Sequence, residues 1–381
     1  MKKVTDVHTE VLTIELNSRT LLRELLSVGR TMSTNLIVGA LENVFVSLTT
    51  GKIHFTGDNL KESITSTVEY NIIGETGTFL LPHKKTVELL KTLPDVPVSI
   101  IHTRIEKVCS VQINVDGKKF KLSTEPWEEF PKRKAFSGSQ LTMPVKQLKE
   151  AITRCLATVS VDTLRPAMMG IHIQTEKGDF VSTDGHSLTL YSTGFQMDAK
   201  PFTITASFAK LILESLSEDQ ENITLEVSDK NVQISNEHLT IISQLIDERF
   251  VAYEGVLPKN QPLKGVIDIA QWSTALRRAA IFANATTLAT KHTFSNGRLT
   301  IKSEDLDYGN DSVQEISYEG DFEILIGFNG RLLNNILSKL DSNTARIELS
   351  EPNRAMLIYP DNTLAQELII LMMPVMLETY L

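Results

Sequence analysis

One pattern occurs three times in this chain, at a spacing of about 120 residues. Phe79-Leu80-Leu81-Pro82, Phe202-Thr203-Ile204-Thr205 and Phe322-Glu323-Ile324-Leu325 each read as a strand running into an amphipathic helix. Each is preceded by another helix, a glycine turn and an alternating strand: Gly51-Lys52-Ile53-His54-Phe55, Gly178-Asp179-Phe180-Val181-Ser182 and Gly297-Arg298-Leu299-Thr300-Ile301. Solenoid units repeat every 20–50 residues or so, so this period is that of a whole domain. The pattern predicts three copies of one α+β domain, bounded near 1–135, 136–261 and 262–381, each with two helices on antiparallel sheets. Each copy is long enough to bury a core of its own.

The helices follow from apolar spacing. Leu148, Ile152, Cys155, Leu156 and Val159 form one stripe, predicting a helix from about 146 to 159, with Pro144 at its start. Its counterparts are expected over 18–28 and 270–283, and the second helices over about 84–93, 208–216 and 330–340. Asp116-Gly117 and Asn296-Gly297 mark tight hairpin turns. Pro131 to Gly138 and Pro258 to Pro262 read as short links. Leu368 to Leu377 reads as an edge or closing strand whose methionine-rich end lines a groove, with Pro374 disfavouring a central strand.

Composition narrows the class. Apolar residues at 41% and charged residues at 22% suit a globular chain. Cys109 and Cys155 lie in different copies without metal-ligand spacing, so they are expected as buried thiols in a reducing cytoplasm. Met1-Lys2-Lys3 leads into polar residues, which predicts no secretory signal, and Leu368 to Val375 is too short to span a membrane. A net charge of −9 argues against nucleic acid only if charge is spread evenly, because binding depends on where the cations sit.

No phosphate-cradling glycine loop, zinc pattern or glycine-flanked serine nucleophile is present. Asp184-Gly185-His186-Ser187 places acid, imidazole and hydroxyl side by side, and a hydrolase built on Asp184, His186 and Ser187 is one alternative. Neighbouring strand residues point to opposite faces, however, so a binding loop is the better expectation. Basic residues recur on the predicted helices: Arg19, Arg23 and Arg30; Lys84 and Lys91; Lys146 and Lys149; Arg277 and Arg278. Singly each reads as a solvated face; together they read as candidates for phosphate contact.

Five stretches, 120–131 (FKLSTEPWEEFP), 182–190 (STDGHSLTL), 245–258 (LIDERFVAYEGVLP), 326–329 (IGFN) and 373–377 (MPVML), resemble signature segments of the bacterial sliding clamp, the beta subunit of DNA polymerase III, in the family's order. The resemblance covers residues 10 to 377. It implies a head-to-tail homodimer closed into a ring around duplex DNA, with no cofactor, no metal and no catalytic step. It also implies short-peptide docking by the replicative polymerase, repair polymerases and an ATP-driven clamp loader.

By the same resemblance, a peptide pocket is expected around Met168, Thr183, Gly185, His186, Ser187, Leu188, Val251, Val256, Asn329, Leu332, Met373, Pro374, Val375, Met376 and Leu377, with Asn329 bonding peptide backbone. The dimer joint maps onto Phe120 and Leu122 of one copy and Ile281 and Phe282 of the other. Ser187, Met376 and Gly255 stand where the family places arginines, and Val251 replaces a proline, which predicts a less positive rim. Met32 sits near a position that often holds a DNA-contacting arginine. Glu378 to Leu381 extend past the usual end. These departures keep a second reading open, a divergent paralogue acting as a partner-binding scaffold outside the replicase.

Overall fold

The computed structural model describes residues 9–32, 38–70, 76–133, 136–217, 221–361 and 368–377. The extension Glu378 to Leu381 and two residues of the first link, Lys134 and Ala135, lie outside them. One order of elements, strand, helix and three strands, runs twice through each copy. The first copy comprises β1 (Thr9–Asn17), α1 (Ser18–Val28), β2 (Asn43–Thr49), β3 (Lys52–Asp58), β4 (Glu62–Glu69), β5 (Gly77–Pro82), α2 (His83–Lys91), β6 (Pro97–Ile105), β7 (Val108–Val115) and β8 (Lys118–Thr124). The second holds β9 (Ser139–Pro144), α3 (Val145–Cys155), β10 (Gly170–Gln174), β11 (Asp179–Thr183), β12 (Ser187–Ser192), β13 (Phe202–Thr205), α4 (Ala206–Ser215), β14 (Asn222–Val227), β15 (Asn231–Ser235) and β16 (Leu239–Ile246). The third holds β17 (Leu263–Asp268), α5 (Ile269–Ile281), β18 (Ala289–Ser295), β19 (Arg298–Asp305), β20 (Asn310–Ser317), β21 (Ile324–Asn329), α6 (Gly330–Leu337), β22 (Thr344–Leu349), β23 (Met356–Pro360) and β24 (Leu368–Met372).

Local chemistry makes the strand-to-helix corners. Asn17, Thr205, Asp268 and Asn329 each end a strand and accept a hydrogen bond from a backbone N–H in the first turn of the helix that follows. The predicted hairpins form at Asp116-Gly117 and Asn296-Gly297, all four residues having positive φ (46°, 74°, 51° and 73°), as a two-residue turn matched to strand twist requires. Each first helix buries one stripe: Leu21, Leu25 and Val28 on α1, Leu148, Ile152 and Cys155 on α3, and Trp272, Leu276 and Ala279 on α5. Every predicted helix end but that of α1 overshoots, α2 and α4 by two residues and one. Beyond Cys155 the chain tightens into a 3-10 turn over Leu156–Thr158, and α5 and α6 stop at Ile281 and Leu337. The apolar stripe continues past Cys155, but the hydrogen-bond ladder does not.

The chain forms two compact units, residues 1–142 with 222–244, and residues 143–221 with 245–381. In the first unit lie the sheets β1-β6-β7-β8 and β4-β3-β2-β5, and β4 pairs antiparallel with β16, Ile64 opposite Ile241. In the second, β13-β10-β11-β12 continues through β24 into β23-β22-β17, with Leu188 opposite Leu371, and β20-β19-β18-β21 forms a separate sheet. The unit boundary cuts the middle copy because both of its outer strands are claimed by neighbouring copies. For the same reason Leu368–Met372 is an interior strand between β23 and β12, where an edge or closing strand was expected. Pro374 lies just beyond it, where no ladder bond is lost.

Candidate functional site

Along the β12–β24 seam the second unit holds a buried apolar cluster. It comprises Val181, Leu188, Leu190, Phe250, Tyr253, Leu357 and Leu371, with Val251 and Ile369 packed against them. Phe250 is held by His172, whose ring stacks on it at 4.6 Å and 3° and whose Nδ1 lies 3.0 Å from Thr203 Oγ1. Burial lowers the His172 pKa to about 4, so the stacked ring is neutral at physiological pH.

Residues 183–187 form a tight turn beside this cluster. Asp184 Oδ1 accepts from the backbone N–H of His186 (2.8 Å) and Ser187 (2.6 Å) and from Ser187 Oγ (3.0 Å), while Thr183 Oγ1 donates to the Ser187 carbonyl at 2.6 Å. Gly185 takes φ +87°, a conformation L side chains rarely adopt. The carboxylate is therefore engaged in closing a turn, and Ser187 Oγ donates to Asp184, a geometry that builds a rigid loop.

Residues 373–377 are anchored by two backbone hydrogen bonds. Met373 N–H donates to the His186 carbonyl (2.8 Å) and Val375 N–H to that of Gly327 (2.9 Å). A Cβ at Gly327 would stand 2.7 Å from Leu377 Cδ2 and the Val375 oxygen, so glycine is needed for Leu377 to seat there. Pro374 and Val375 are half-buried between these anchors. Asn329, two residues on, caps α6 through its side-chain oxygen, which accepts from Leu332 N–H at 3.0 Å. That oxygen is engaged within the chain. Met168 sits in the turn Pro166–Met168, tied to Ser160 N–H and to Arg165, whose guanidinium comes within 3.1 Å of a Cβ built on Gly185.

Met373, Met376 and Val256 are exposed. Phe250 and Leu371, buried in this cluster, are not among the residues expected at the pocket. Leu371 alone carries a readable signal, as part of the apolar run 368–372. At Gly255 a Cβ would meet nothing within 4 Å, so a larger side chain has room there.

The basic candidates distribute unevenly. Arg19, Arg23, Arg30, Lys84 and Lys91 are exposed in the first unit, with Arg23 paired to Glu24 at 2.7 Å. In the second, Lys146, Arg277 and Arg278 are exposed, while Lys149 Nζ donates to the Leu216 carbonyl at 3.1 Å and so helps close α4. Arg278 lines a cleft of about 340 Å³ between α5 and β20, together with Ala270, Thr274, Ala275 and Gln314. Met32 follows the short turn Gly29–Thr31.

Of the joint candidates, Ile281 and Phe282 at the end of α5 are largely exposed. Phe120 and Leu122 are half-buried on the edge strand β8, opposite the buried Ile113 and Val111 and hence on the core-facing side of their sheet. Among the described residues no helix is long and apolar enough to cross a membrane, and no cluster of three metal-ligating side chains occurs.

Three repeats joined by antiparallel strand edges define the architecture of sliding clamps. The chain belongs to the DNA polymerase III beta subunit family: its N-terminal domain model matches residues 12–134, its central domain 142–251 and its C-terminal domain 254–375. It is 24% identical over 345 residues to the beta sliding clamp of Haemophilus influenzae and 26% over 348 residues to that of Pseudomonas aeruginosa, each covering 89% of this chain and 93% of the relative. A crystal structure of the Pseudomonas aeruginosa sliding clamp bound to griselimycin superposes with a TM-score of 0.89 at 23% identity, covering 97% of this chain and all of the other.

Proposed function

We propose that this chain is a sliding clamp of the replicase. Two copies join head to tail into a ring that encircles duplex DNA without reading sequence, and DNA-working proteins dock short peptides at the β12–β24 seam. The replicative polymerase, repair polymerases and an ATP-driven clamp loader are the partners expected there, and the cytoplasm is the expected compartment. The domains follow the repeat, 1–135, 136–261 and 262–381. The chain carries no catalytic step.

One observation carries the assembly. The first copy's β4 takes the second copy's β16, and the second copy's β12 takes the third copy's β24, both antiparallel. Counted by position in the repeat, β20 is the third copy's equivalent of β4 and β12, and β8 is the first copy's equivalent of β16 and β24. Both β20 and β8 end their sheets unpaired. The same rule joins β20 of one chain to β8 of another, and unpaired edges of that length are otherwise an aggregation liability. Such an interface is heterologous and closes when two chains meet twice.

The chemistry agrees. β8 presents Lys118, Lys119 and Lys121, and β20 presents Asp311 and Glu315, the latter also within 3.3 Å of Arg298. The cleft between α5 and β20, lined by Ala270, Thr274, Ala275, Arg278, Gln314 and Ile316, offers room for an apolar side chain arriving from β8. Held by topology, the ring needs only loose phosphate contacts from exposed cations such as Arg19, Lys84, Lys146 and Arg277.

Loading the protein onto a nicked circular plasmid, raising the salt and then linearising the DNA tests this reading. Salt strips phosphate contacts but cannot open a closed ring. Retention on the circle with release from the line is the expected result; equal loss from both refutes encirclement.

A further inference from the structure

A cleft of about 320 Å³ in the second unit shares Leu190 and Tyr253 with the buried cluster at the β12–β24 seam. Leu188 and Leu190 point to one face of β12, opposite Leu371 and Ile369 of β24. Thr189, between them, turns the other way and meets Thr158, just past α3, at 2.9 Å. The cleft therefore lies on the sheet face away from α3, and Leu190 stands one two-residue step, about 6.5–7 Å, along β12 from Leu188. Residues 253–259 supply most of the remaining lining, Leu257 and Pro258 among them. That segment is fixed by an ion pair between Glu254 and Lys177 and by Gln261, whose Nε2 donates to the Ala355 carbonyl at 2.7 Å.

The polar lining says what chemistry would enter. Its carboxylates are engaged, since Asp179 Oδ1 accepts from Ser192 Oγ at 2.6 Å and Glu254 is paired with Lys177. Two of its donors are free. The Tyr253 hydroxyl is buried and has no hydrogen-bond partner among the described residues, and Lys259 is exposed with no ion pair among them. A buried donor left unpaired is costly, and an acceptor that enters beside it relieves that cost. Apolar walls with unused donors fit an apolar side chain that brings a carboxylate with it.

We propose that this cleft is a further subsite for the peptide docked at the seam: the peptide runs on past Leu188 and sets one more apolar side chain on Leu190, Leu257 and Pro258, with an adjoining carboxylate at Tyr253 and Lys259. A step of about 6.5–7 Å is two residues of extended chain, so the extra side chain stands two positions beyond the anchor at Leu188. The subsite rests on the reading that partners dock at this seam. It ranks those partners, because peptides that carry the extra apolar and acidic groups hold the chain more tightly than peptides that end at the anchor.

Fluorescence anisotropy of labelled peptides titrated with the full chain tests it. The reference is Gly-Leu-Phe-Gly amide, an apolar anchor pair. The lengthened probes are Asp-Leu-Gly-Leu-Phe-Gly amide, Gly-Leu-Phe-Gly-Leu-Asp amide and Gly-Leu-Phe-Gly-Leu with a free C-terminus, so that a side-chain and a terminal carboxylate are told apart. At least one lengthened probe should bind about fivefold tighter than the reference or better. Leu257→Trp, which fills the cleft, and Lys259→Glu, which reverses its free charge, should each remove that gain while reference binding, the control for folding, stays within about twofold. No gain on lengthening, or a gain that survives both variants, overturns the subsite and leaves docking at the seam standing. If neither the reference nor any lengthened probe binds, docking at the seam is itself wrong and the subsite falls with it.

Discussion

The joined edges and the free edges of this molecule are built differently. Where β12 meets β24 and β16 meets β4, each pair sets aliphatic residues opposite one another, Leu188 on Leu371 and Ile64 on Ile241, and three of the four strands carry no charge. The free edges carry three lysines on β8 and two carboxylates on β20. Joints within a chain are never asked to separate, and burial alone can hold them. A joint that must open to admit DNA gains from charges, which keep a lone edge soluble and steer its partner, yet each contributes little once paired.

The sharpest way to break this comparison is to strip apolar surface from each kind of joint. Ile281→Ala/Phe282→Ala removes about 1.5–3 kcal/mol of burial per side chain at each ring joint and is expected to yield folded monomers in sedimentation experiments. Leu371→Ala at the internal joint should cost about 2–5 kcal/mol of unfolding free energy by urea titration while leaving the dimer constant unchanged.

Charge separates the two next. Replacing Lys118, Lys119 and Lys121 with Glu should weaken the dimer, and adding Asp311→Lys/Glu315→Lys should restore it. Wild-type dissociation should rise between about 0.1 and 1 M salt as the screening length falls from about 10 Å to about 3 Å. A dimer indifferent to salt and to the swap would show that the lysines serve solubility alone.

Acid should act on the fold rather than on the joint. Burial lowers the His292 pKa from 6.5 to about 3, and neither of its ring nitrogens has a hydrogen-bond partner, with Trp272 standing edge-on at 6.5 Å. The unfolded chain binds a proton there that the folded chain refuses, so this contribution is complete above pH 6.5 and is lost as pH falls toward 3. His292→Leu should flatten the pH dependence of the urea midpoint in that window, and an unchanged slope would contradict the assignment.

The smallest effect is expected at the pocket. Gly255→Arg/Met376→Arg places cations where there is open space and an exposed side chain, and should tighten a fluorescent peptide bearing an aspartate beside its apolar anchors by a few-fold, with little change for a neutral one.

Much of the fold is legible because its signals are local. The Asp116-Gly117 and Asn296-Gly297 turns, the stripe on α3 and the strand-helix corners each depend on residues a few positions apart. The joining of repeats is not, since Ile64 and Ile241 are distant in sequence and any two aliphatic strands read alike. The fate of Leu368–Met372 as an interior strand was hidden for that reason.

The pocket was legible only as a resemblance. Asp184-Gly185-His186-Ser187 reads equally as chemistry or as a turn, and only the bonds from Asp184 to the backbone decide. The part Asn329 plays as a helix cap is written locally, in the residue that ends β21 and begins α6.

Hydrogen exchange at the strand edges tests the central claim most directly. In concentrated wild-type protein, the amides of β8 and β20 should exchange slowly, and they should become fast on dilution and in Ile281→Ala/Phe282→Ala, while β4, β12, β16 and β24 stay protected throughout. Exchange of β8 and β20 at one rate under all these conditions would mean that the free edges are not the joint.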